Sequence, residues 1–68
     1  MKKVVYDIEE YLEKKYKVTI FNNYNEDKIY KIEENGKLIK LIYIEKQSSQ
    51  SIIFDDVINK LSVSLLEE

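Results

Sequence analysis

The 68-residue chain has no cysteine, histidine, tryptophan, arginine or proline, and only one glycine. Each absence removes a class of chemistry. Without cysteine there is no disulfide, thiolate metal site or sulfur nucleophile. Without histidine the commonest general base and metal ligand is missing. Without arginine there is no forked clamp to hold phosphate or carboxylate through two parallel hydrogen bonds. One glycine is too few for a glycine-rich phosphate cradle. Catalysis would fall to Ser, Thr, Tyr, Lys or carboxylates, and nothing in the sequence sets a base beside Ser48, Ser49 or Ser51. Adjacent acids such as Glu33-Glu34 and Asp55-Asp56 point in different directions on a strand or helix and form no dyad by themselves. The segment from Asn22 to Asp27 lacks the spacing and distal Glu of a calcium loop. The expectation is a non-enzymatic protein with no cofactor and no metal site.

What is present describes a small globular chain, 44% hydrophobic and 35% charged. Eleven lysines against thirteen acids leave a net charge of −2, which argues against a general polyanion binder. Ten isoleucines and eleven lysines without arginine point to an AT-rich coding sequence, of the kind low-GC bacteria and their phages carry. Asp7, Glu9 and Glu10 interrupt any apolar run after the basic start, and no later run reaches bilayer length, so a cytoplasmic protein is expected. Residues 1–68 make one small domain. A chain of this size buries only about 60% of its unfolded surface. It therefore gains by covering apolar surface on a partner protein or on a second copy of itself.

Along the chain, Val4, Val5, Ile8, Tyr11, Leu12 and Tyr16 form one helical stripe, which predicts a first helix from about residue 3. Asp7 and Glu10 also fit a capping box, which would leave residues 2–6 extended as an extra edge strand. From Lys17 the period becomes two, through Val18 and Ile20. Asn35-Gly36 is the preferred dipeptide of a two-residue hairpin and separates Lys28–Glu34 from Lys37–Lys46. Its register sets Ile32 opposite Ile39 and Tyr30 opposite Leu41, with Lys31 opposite Lys40 and Ile29 opposite Ile42 on the other face. Gln47 to Ser51 reads as a loop. Phe54, Val57, Ile58, Leu61 and Leu65 then recur at helical spacing and predict a second helix. The sum is an α+β fold of two layers, α-β-β-β-α: a three-stranded antiparallel meander with both helices on one face. Val18, Ile20, Tyr30, Ile32, Ile39 and Leu41 would meet the helices.

That element order resembles the double-stranded-RNA-binding domain across nearly the whole chain. The family presents lysines at the start of its second helix, whereas Ser51-Ile52-Ile53-Phe54-Asp55-Asp56 is apolar and then acidic. No functional residue carries over.

The second face of the sheet holds more apolar residues than a solvated face requires. Phe21, Ile29, Leu38, Ile42 and Ile44 point away from the expected core, with Lys31 and Lys40 among them. Six tyrosines add side chains of the kind enriched at interfaces. The leading expectation is a protein-protein interaction module, a homodimer or the binder of another protein, of the adaptor or inhibitor kind found in phages and mobile elements. The alternative is a nucleic-acid surface built from Lys28, Lys31, Lys37 and Lys40, with Tyr30 or Tyr43 stacking on bases.

Overall fold

The computed structural model describes residues 3–13, 15–55 and 60–66. Among them there are six strands and no helix: β1 (Val5–Leu12), β2 (Lys15–Phe21), β3 (Lys28–Glu34), β4 (Lys37–Ile44), β5 (Ser49–Phe54) and β6 (Leu61–Leu65). They form two antiparallel three-stranded sheets, in the orders β1-β2-β5 and β4-β3-β6. The two sheets face each other across one core, so the architecture is a small β-sandwich. The α+β expectation is overturned, and the likeness in element order to the double-stranded-RNA-binding domain goes with the helices that carried it.

Among the described residues both expected helices give way to strands, for the same reason. Val, Ile, Tyr and Phe fit the pleated surface of a sheet and lose side-chain freedom in a helix. The chain also has no alanine to favour the helix. In β1, Tyr6 and Ile8 lie opposite Ile20 and Val18 of β2, so they share the inward row. Of the extended start expected at residues 2–6, Val5 and Tyr6 open this longer edge strand, Lys3 and Val4 precede it, and Lys2 lies outside the described residues. In the last third, Leu61-Ser62-Val63-Ser64-Leu65 alternates strictly. Val63 and Leu65 are buried in the core while Ser62 is exposed. Val57 and Ile58 of the expected second helix lie outside the described residues. Ser49 to Ser51, expected in a loop, pair with Phe21 to Thr19 as the start of β5.

The expected meander also fails, because β2 and β3 belong to different sheets. The hairpin survives with a changed register. Asn35 and Gly36 take positive φ of 54° and 82°, the backbone a two-residue turn of this type demands. Glu34 faces Lys37 and Glu33 faces Leu38, but Ile32 then faces Lys40, leaving Ile39 as the extra residue of a β-bulge. Beyond the bulge every side chain of β4 changes face. Tyr30 faces Ile42 and Lys28 faces Ile44. Ile42 and Ile44 therefore enter the core at 8% and 0% exposure, while Ile39 and Leu41, expected inside, stand outside.

The core consists of Val18 and Ile20 from the first sheet and Tyr30, Ile32, Ile42, Ile44, Val63 and Leu65 from the second, with Val4, Tyr24, Ile52, Phe54 and Leu61 packed around it. Asn22 is the one buried polar residue among those described. It sits where the chain crosses from β2 to the second sheet. Its Nδ2 lies within hydrogen-bond reach of the carbonyls of Ile44 (2.9 Å), Glu26 (3.0 Å) and Glu45 (3.2 Å). Its Oδ1 accepts from the Tyr24 amide at 3.0 Å and the Tyr30 hydroxyl at 3.2 Å. The Asn22 amide donates to Ser48 at 2.8 Å. One side chain thus ties both crossings, β2 to β3 and β4 to β5, at the same end of the sandwich.

Candidate interaction surface

The outer face of the second sheet follows from its register. On β3 the outward row is Ile29, Lys31 and Glu33. On β4 their partners are Tyr43, Leu41 and Leu38, and on β6 Lys31 and Glu33 face Ser64 and Ser62. Leu66 closes the row, its amide bonded to the Ile29 carbonyl at 2.9 Å. Ile29, Leu38, Leu41, Tyr43 and Leu66 are all exposed, as is Ile39 on the bulge. Leu38 and Tyr43 leave more than half of their surface to solvent, at 53% and 57%. These side chains lie on neighbouring strands and form one patch. The only charges in the outward row of β3 are Lys31 and Glu33, both half-buried. Since β4 is an edge strand, one side of its backbone is also open to pairing.

The residues expected to form the open face are divided by the structure. Ile29, Lys31 and Leu38 come together on this face. Phe21 is exposed but belongs to the other sheet. Lys40 falls in the inward row beside Ile32 and reaches solvent at the strand edge. Ile42 and Ile44 are core residues, turned inward by the bulge. In their place stand Ile39, Leu41, Tyr43 and Leu66. The apolar excess on β4 was the signal that could find the first three; Leu66, past the end of β6, lay outside it. The bulge that decides between neighbours had none, because Leu38-Ile39 and Leu41-Ile42 offer an apolar residue in either register.

Tyr43 is held in place on this face. Its hydroxyl donates to Asp27 Oδ2 at 2.5 Å, and the Lys46 amide donates to Asp27 Oδ1 at 2.9 Å. Asp27, in the β2–β3 connection, therefore pins the end of β4. The Tyr43 hydrogen bond, then that of Lys46, hold the Asp27 carboxyl below its ordinary value of 3.8. The same bond to Asp27 is the main cause that raises the Tyr43 phenol above 10.0. The lowered carboxyl contributes stability above its unfolded pKa and loses it as pH falls through the folded value. The raised phenol contributes below its unfolded pKa and loses it as pH rises through the folded value. Tyr43→Phe is expected to flatten both the acid limb, below about pH 4, and the alkaline limb, above about pH 10, of a stability–pH profile measured by urea unfolding. Profiles of unchanged shape would show that the pin carries no linkage.

Several of the other lysines and hydroxyls have local partners. Lys28 pairs with Glu26 at 2.9 Å and lies 5.1 Å from the centre of the Tyr24 ring. Tyr30, one of two tyrosines considered for base stacking, is fully buried, and burial raises its phenol pKa. Ser51 and Thr19 share a hydroxyl hydrogen bond at 2.9 Å, and Ser48 donates to the Lys46 carbonyl at 3.2 Å. A shallow open depression beside Phe21, Asn22, Asn23, Gln47, Ser48 and Ser49 has no titratable side chain in its lining. Among the described residues no three acidic side chains come together as metal ligands would, and no helix is long and apolar enough to cross a membrane. No family model, no curated protein and no solved structure matches the chain.

Proposed function

We propose that this chain is a small non-enzymatic protein-protein interaction module that works as a homodimer through the outer face of its second sheet. The observation that supports the reading is the patch of Ile29, Leu38, Ile39, Leu41, Tyr43 and Leu66 on adjacent strands. A sheet face left to water normally alternates to polar side chains, and contiguous apolar patches of this kind mark interaction sites. Tyr43, fixed by Asp27, supplies a rigid aromatic whose ordering precedes binding.

Sedimentation equilibrium tests the reading on the native chain and on Leu41→Glu. The native mass is expected to rise from 8.2 kDa towards twice that value with concentration. Leu41→Glu should stay at the monomer mass with an unchanged β-sheet circular dichroism spectrum. A native chain that remains at 8.2 kDa throughout would defeat the reading, as would a Leu41→Glu variant that associates like the native chain.

A further inference from the structure

The charges on the apolar face restrict how two copies can meet. Lys31 and Glu33 occupy successive outward positions of β3, the central strand of its sheet, about 7 Å apart along it. Both are half-buried, and among the described residues neither takes part in an ion pair. Two sheets packed face to face by a two-fold axis admit two simple arrangements. With the axis along the strands, Lys31 meets Lys31 and Glu33 meets Glu33. With the axis across the strands, above Ile32 midway between these residues, each Lys31 meets the partner's Glu33. The second arrangement also sets Leu41 over Leu38 of the other copy, because Leu41 is the neighbour of Lys31 and Leu38 that of Glu33. On the β6 side Ser64 meets Ser62, small enough for close approach.

Resting on the homodimer reading above, we infer that two copies dock through the outer faces of the β4-β3-β6 sheets about a two-fold axis running across the strands, with two reciprocal Lys31–Glu33 pairs at the centre. The arrangement is self-complementary, as a closed dimer requires. Opposite charges half-removed from water set the register, and like-charge juxtaposition disfavours the alternative axis. A three-stranded face is small beside the ~800 Å² that each partner buries in a standard interface. The association is therefore weak and measurable between about 10 µM and about 1 mM.

Charge reversal tests the pairing. Lys31→Glu and Glu33→Lys are each expected to weaken self-association by at least about tenfold. Mixed in equal amounts they should recover a dimer, because Glu at 31 then meets Lys at 33 across the interface. The double variant Lys31→Glu/Glu33→Lys, whose composition differs only in order, should dimerise like the native chain yet form no mixed dimer with it. Circular dichroism confirms folding, and the double variant keeps the test decisive should a single reversal unfold.

Mixed dimers of native and double variant would overturn the inference. If all the reversals dimerise unchanged while Leu41→Glu does not, the face is the interface but this pairing is wrong. If the native chain is itself monomeric, the homodimer reading fails together with the inference. A mass that climbs past the dimer means open-ended edge pairing and also overturns it.

Discussion

Truncating Ile44 to alanine is expected to remove about 2–5 kcal/mol of folding free energy, enough to unfold a domain whose core supplies about 3–5 kcal/mol in all. Ile44 is wholly buried and belongs to the cluster with Ile42, Tyr30 and Val18. The alanine leaves a cavity that a sandwich with few core side chains has little material to refill. Ile39→Ala, five residues earlier on the same strand, should change stability by no more than about 0.5 kcal/mol, because Ile39 stands on the outward side of the bulge. The milder Ile44→Val, at about 1 kcal/mol, keeps the effect within range of urea unfolding. The order of these costs tests the bulge directly. Without it, Ile39 would face Ile32 from the core side and Ile44 would face solvent, so Ile39→Ala would be the damaging change.

Asn22→Ala is expected to cost about 3 kcal/mol. The loss does not come from apolar contact. Removing the side chain strands the buried carbonyl of Ile44 and the buried hydroxyl of Tyr30, each of which pays its desolvation without a partner. The carbonyls of Glu26 and Glu45 are only partly buried and can turn to water. Tyr30→Phe alone should cost about 1 kcal/mol. Combined with Asn22→Ala it should cost less than the sum, since the stranded hydroxyl is then absent. A double-mutant cycle by urea unfolding measures the difference. Strict additivity would mean that Asn22 and Tyr30 act independently, against the bond between them. Asn22→Asp keeps the shape but exchanges the donors for a carboxylate beside those same carbonyls, and should cost at least as much as alanine.

How far the fold was legible differs from element to element. Asn35-Gly36 announced the β3–β4 turn because few dipeptides take positive φ twice in succession. Val18 and Ile20 announced β2 by alternation. The helices were misread where two periods overlap. Val4, Ile8, Tyr11 and Leu12 satisfy a helical stripe, while Val4, Tyr6 and Ile8 satisfy a strand, and the β-branched and aromatic content favours the strand. Leu61 to Leu65 held a clean alternation that the wider spacing from Phe54 to Leu65 obscured. The bulge at Ile39 was not legible at all, since apolar neighbours on β4 make either register acceptable to the pattern. The candidate surface was therefore legible as an apolar excess on β4, while the membership of each residue waited on that single inserted position.

The strand order has a consequence for how the chain reaches its native state. β1 with β2 and β3 with β4 are local hairpins, but β5 completes the first sheet and β6 the second. The third strand of each sheet thus arrives from the last third of the sequence. During synthesis both hairpins emerge before either has its outer partner, with β2 and β3, later the central strands, still open along one side. The final strands then close both sheets within a few residues of each other. The two sheets share one core, so its completion is concentrated into one late event, after both final strands have been made. A ribosome stalled after β4 would hold two unfinished ribbons exposing the aggregation-prone edges that the completed protein covers.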